Sequence, residues 1–124
     1  MVSHHHDKEE KLFFPAIEKF TGDPKVMCDN IEGHKAFHSG LEAFGKFCYE
    51  KTPESYDAKE LRVLVDGLRV PFETHMREEI ETLLALEEEY GEELLKAYNE
   101  LETAIIESSD KVSSHSLNFV TKLC

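Results

Sequence analysis

The sequence is poor in thiols. Its three cysteines, Cys28, Cys48 and Cys124, are odd in number, widely spaced and without a Cys-x-x-Cys pair, which excludes a disulfide framework and a thiolate zinc knuckle. Positive charge is equally scarce: 14 Lys and Arg stand against 26 Asp and Glu, a formal charge of −12. A chain of that balance has no basic face to offer nucleic acid or anionic lipid, so neither is expected as a partner. Apolar runs are short, Leu83-Leu84-Ala85-Leu86 being typical, far below the roughly 18 residues of a membrane span. The opening Met-Val-Ser-His-His-His-Asp-Lys-Glu-Glu has no apolar stretch of signal-peptide type. From these absences an intracellular, cytoplasmic protein is expected. Its 124 residues suit a single core.

Runs of β-branched residues and strict apolar–polar alternation are missing too, so the fold class is all-α. Breaks at Thr21-Gly22-Asp23-Pro24, at Lys51-Thr52-Pro53-Glu54-Ser55 and at Gly91 divide the chain. Helices are expected over about 3–20, 26–50, 57–90 and 92–107. Pro71 is expected to kink the third of these, and Pro15 the first, because proline removes a donor and crowds the preceding turn. From Ser108 onward the polar sequence reads as a loose tail, so the domain is expected over 1–107 and the tail over 108–124, with Leu117-Asn118-Phe119-Val120 as a docking patch.

What the sequence does have is histidine, seven in all, at positions 4, 5, 6, 34, 38, 75 and 115. On helical wheels several fall on apolar stripes. One stripe runs Met27, Ile31, His34, His38, Leu41, Phe44, Cys48; another runs Leu61, Leu64, Leu68, Phe72, His75, Glu79, Leu83, Leu86. In the first helix Phe20, Ala16 and Leu12 continue backward to Glu9 and His5. Polar groups therefore take core positions in pairs four residues apart, and such pairs project from one face about a turn from each other. One buried histidine is ordinarily a hydrogen-bonded core residue, but three inward pairs are costly without compensation. Metal cations supply it. Nitrogen and oxygen donors without thiolate leave iron, manganese and zinc as candidates, and two carboxylates flanked by imidazoles suit a dinuclear centre in a bundle core. Affinity for the metal should fall as protons compete for the imidazoles. His115 has no partner at helical spacing. The acidic runs Glu87-Glu88-Glu89 and Glu92-Glu93 read as solvated helix faces.

Three segments resemble the hemerythrin-like, or HHE cation-binding, family, most closely its fungal-type members. His5-His6-Asp7-Lys8-Glu9-Glu10-Lys11-Leu12-Phe13-Phe14-Pro15 is similar to a His-x3-Glu-Glu-x2-Leu-Phe-Pro signature, His34-Lys35-Ala36-Phe37-His38 to its His-x3-His, and His75-Met76-Arg77-Glu78-Glu79 to its His-x3-Glu. The resemblance implies an antiparallel up-down four-helix bundle around a non-heme di-iron centre. It implies His5, His34, His38 and His75 as terminal nitrogen ligands and Glu9 and Glu79 as bridging carboxylates. O2, peroxide or a related small molecule would bind at an open iron position. The family pattern begins with a further His-bearing helix, whereas four residues precede His5 here. The resemblance therefore implies an N-terminally truncated bundle, with self-association through the face left open. Three functions follow as alternatives. The first is binding or sensing of O2, or iron and redox homeostasis. The second is a di-iron enzyme acting on peroxide, O2 or nitric oxide. The third is a metal-free interaction protein with a degenerate site.

Overall fold

The computed structural model describes the backbone of residues 2–120 and the side chains of residues 4–109. The backbone folds into α1 (Val2–Lys8), a π-helical turn (Glu9–Phe13), α2 (Phe14–Thr21), α3 (Cys28–Glu50) and α4 (Ala58–Val120). No strand occurs among the described residues, so the all-α expectation holds. The chain divides into two units, residues 24–89 and residues 1–23 with 90–124.

The sequence explains the helix boundaries. Gly22 ends α2 in the left-handed region (φ 72°), its N–H donating to the Glu18 carbonyl at 3.0 Å, a conformation that side chains with a Cβ resist. Thr21 Oγ1 donates to the Ile17 carbonyl at 2.7 Å and accepts from the Asp23 N–H at 3.3 Å, which closes the turn. The break after α3 is tied by Ser55 Oγ, which accepts from the Thr52 N–H at 2.9 Å. Asp57 Oδ1 then accepts from the Lys59 N–H at 2.7 Å and opens α4 as an N-cap side chain does.

Prolines act differently from expectation at their two helical positions. Pro15 has no N–H to give the Lys11 carbonyl, and the ladder upstream slips by one residue: the Phe14 N–H donates to the Glu9 carbonyl, five residues back. The result is a π-turn rather than a simple kink. Pro71 lies inside α4 without a dihedral break. The non-helical residue of α4 is Tyr90 (φ −126°, ψ 23°), beside the expected punctuation at Gly91. The stretch from Ser108, expected as an irregular tail, continues as helix to Val120. Beyond the break at Tyr90, helical hydrogen bonding carries the chain past the loss of apolar periodicity. The docking patch expected at 117–120, and His115, lie outside the described side chains.

Within residues 24–89, α3 and the first part of α4 run antiparallel. Asn30 meets Thr82, His34 meets His75, and Phe37 meets Phe72. Phe37 is the aromatic anchor. It is buried, with its ring 5.2 Å from Phe72 and 5.1 Å from His75. Phe37→Ala should lower unfolding free energy by about 3–5 kcal/mol, read as a lower denaturant midpoint at unchanged slope. In the other unit the N-terminal helices run antiparallel to residues 90–109. Phe20 packs on Tyr90 and Phe13 on Tyr98, and His4 reaches Ser108. Phe13, Phe14, Ile17, Ala97 and Leu101 are its buried apolar side chains. Cys28 and Cys48 are free and exposed.

Candidate metal centre

The α3–α4 pair holds the tightest cluster of donor groups. His34 and His75 are both buried, and their ring centroids stand 4.4 Å apart at 60°. Both project inward because each lies on its helix's apolar face, one turn from Phe37 on α3 and one turn from Phe72 on α4. His75 Nε2 is 3.2 Å from Glu79 Oε2, the i,i+4 geometry of one helix face. His34 offers a ring nitrogen within 4.8 Å of His75 and of the Glu79 carboxylate. Close approach of the helices is possible because Gly33 faces His75. A Cβ at Gly33 would stand 2.7 Å from His75 Nδ1 and 3.3 Å from its Cβ and Cγ.

The expected pairing of His34 with His38 is not what the structure builds. His38 is exposed (side chain 61%), and its Nε2 lies 3.4 Å from Glu42 Oε1. The inward face of α3 runs through Asn30, His34, Phe37 and Phe47, so a phenylalanine and an amide occupy places that the stripe assigned to His38 and Ile31. A ring of Phe gains about 2–3 kcal/mol from burial, whereas an imidazole must first be stripped of water. The larger apolar neighbour takes the core position.

In the other unit, Glu9 is buried at the head of the π-turn, and its Oε1 lies 2.7 Å from His5 Nε2. His5 itself is half-exposed (side chain 47%), whereas His6 is buried, its ring 5.7 Å from that of His5. The stripe through Leu12, Ala16 and Phe20 therefore finds Glu9 and His5 but misses His6. Leu12 is 44% exposed, and the buried face carries Phe13, Phe14 and Ile17 instead. Tyr98 packs edge-on against Phe13 and donates to Glu102 Oε1 at 3.0 Å. That hydrogen bond raises its phenol pKa above the ordinary value, and burial and the charge of Glu9 add to the effect. His4 is exposed and is spoken for by Ser108. Ser108 Oγ donates to the Ala104 carbonyl at 2.7 Å, so it accepts from His4 Nε2, also at 2.7 Å.

The donor chemistry fits a first-row transition metal. His34, His75 and Glu79 on one side of the sequence, and His6 and Glu9 on the other, are imidazole nitrogens and carboxylate oxygens without thiolate, and each belongs to a group able to hold a metal ion. Neutral imidazole and ionised carboxylate are the binding forms, and a cation offsets the cost of burying the carboxylate.

The family description "Hemerythrin HHE cation binding domain" matches residues 1–87. Among curated proteins, the "Dimeric xanthone biosynthesis cluster protein R11" of Cryptosporiopsis sp. (strain 8999) is 36% identical over 104 residues, which is 84% of this chain. The match spans 40% of that relative's length. No solved structure matches the chain.

Proposed function

We propose a function from one premise: the chain belongs to the hemerythrin HHE cation-binding family. Cation binding is the family's chemistry, and the proposed cation is non-heme iron, two ions per chain. In residues 24–89 the donors are His34, His75 and Glu79. In the N-terminal helices Glu9 supplies a carboxylate, with His5 and His6 as the adjacent imidazoles. The role that follows is binding or sensing of O2 or a related small oxidant, or iron and redox homeostasis. When bound, iron would supply the electrons and the open coordination position that such ligands need. The protein's own residues supply orientation. Phe37 packs against both imidazole rings and is backed by Phe72, and the Glu79 carboxylate lies 3.2 Å from His75 Nε2. The burial of His34 and His75 on facing helices, with Glu79 one turn on, is the single observation that carries the reading.

Expression in iron-replete medium, followed by metal analysis and a visible spectrum, tests it. The expected result is iron near two per chain, with ligand-to-metal absorption that chelation removes. Folded protein with no iron and no visible bands would end the proposal. A second reading is favoured by the relative's name, which places that protein in a biosynthetic cluster. An oxidative enzyme built on the same donors would turn over peroxide or O2 with an organic co-substrate, and steady peroxide consumption by the iron form would support it.

A further inference from the structure

Asn30 is buried (1% exposed) one helical turn before His34, and neither the apolar core nor the donor set accounts for it. Its Oδ1 lies 3.2 Å from Thr82 Oγ1, while its Nδ2 is buried with no hydrogen-bond partner. Thr82 has one hydroxyl proton and a second acceptor in reach, the Glu78 carbonyl at 2.9 Å. Turning the amide over would give Nδ2 to Thr82 and strand Oδ1, so one end of the amide is unpartnered in either orientation. His34 faces His75, Asn30 faces Thr82, and Glu79 lies on α4 between those two rungs. With Thr82 Oγ1 donating to Oδ1 at 3.2 Å, the end left unpartnered is the Nδ2 donor, and a donor is what an anionic or oxygen-bearing occupant needs. A buried amide left without a partner is destabilising, and such a group one helical turn from His34, opposite the helix that carries His75 and Glu79, points to an occupant that completes it.

We infer that Asn30 is a ligand-binding residue of the centre: its amide N–H donates to a small anionic or oxygen-bearing molecule held at the His34–His75–Glu79 group, with Thr82 fixing the amide's orientation. This rests on the iron reading above. The molecule is small because Phe37 and the facing imidazoles fill the adjoining layer. An acceptor atom with accessible lone pairs is required, which azide offers as a probe.

The test compares the iron-loaded wild-type protein with Asn30→Leu, nearly isosteric and without hydrogen-bonding groups, and with Thr82→Val, which keeps the amide but removes its anchor. Iron per chain, azide affinity from the visible absorption change, and thermal unfolding of the metal-free protein are measured on each. Asn30→Leu should keep its iron and weaken azide binding about tenfold, the worth of one hydrogen bond to an anion. Its metal-free unfolding temperature should be unchanged or higher, because a stranded polar group has gone. Thr82→Val should weaken azide binding by a smaller factor. Unaltered azide affinity in Asn30→Leu overturns the inference, and so does loss of iron in that variant, which would make Asn30 a support of the metal site. Should Asn30→Leu not fold, Thr82→Val and Asn30→Ala carry the same comparison. Wild-type protein that takes up no iron sinks the functional reading itself, an outcome separate from either of these.

Discussion

Replacing His75 by leucine should lower iron affinity by more than about 100-fold, since even partners of metal ligands contribute 10–100-fold. Leucine has similar volume and needs no hydrogen bond, so the metal-free variant should remain within about 1.5 kcal/mol of wild type. Iron should then separate the two. At a hundredfold excess over its dissociation constant, a ligand stabilises the native state by about 2.7 kcal/mol, and the variant should gain almost none of this. The measurements are iron titration and thermal unfolding with and without iron. A core histidine without metal would give the converse pattern. His75 is 1% exposed and lies against both His34 and Phe37, so a purely structural role would cost stability in the metal-free state and leave iron untouched.

Gly33→Ala is the second large effect, and its sign runs against helix propensity. Alanine in place of glycine within a helix is ordinarily stabilising by about 0.5–1 kcal/mol. Gly45 and Gly67, with nothing within 4 Å of an added Cβ, should show that gain. At Gly33 the new methyl would meet His75 Nδ1 at 2.7 Å and the root of the side chain at 3.3 Å. His75 is buried and its Cβ is fixed to α4, so it cannot swing clear. Either the ring tilts off Glu79 or the helices part. We expect a loss of about 1–3 kcal/mol and at least tenfold weaker iron binding. Denaturant unfolding and iron titration of Gly33→Ala against Gly45→Ala measure both. Equal gains in stability from the two substitutions would show that Gly33 has no close-approach role.

How much of this is legible in the sequence differs from helix to helix. The α4 stripe is read correctly over its whole length: Leu61, Leu64, Leu68 and Phe72 lead to His75 and Glu79, and all are at least partly buried. A regular helix with apolar residues on both sides of the donors fixes its phase. On α3 the stripe slips at two positions. Periodicity alone admits either Phe37 or His38, and the choice rests on which side chain gains more by leaving water. In the first helix Glu9 is found for a reason that the wheel does not contain. The chosen stripe is one residue out of phase, as exposed Leu12 and buried Phe13 show. The π-turn shifts the upstream residues by one as well, and for Glu9 the two offsets cancel. For His5 and His6 they do not cancel fully, so the buried imidazole is the neighbour of the expected one. Pro15 signals an irregularity, but nothing local says that it will be absorbed as an extra residue in the turn.

That extra residue also bears on which changes in chain length the protein can accept. Each residue of an ordinary helix turns the chain by about 100°. An insertion or deletion within Phe14–Thr21 would therefore rotate everything upstream, Glu9 and His6 included, away from its present face. A deletion among the exposed residues Glu10–Leu12 has a different outcome, because the turn already holds one residue more than an α-helix needs. Losing that residue takes up the extra length and leaves upstream side chains near their present bearings, with Pro15 still crowding the turn before it. The turn is thus the point in the N-terminal helices where length can vary without re-aiming the donors.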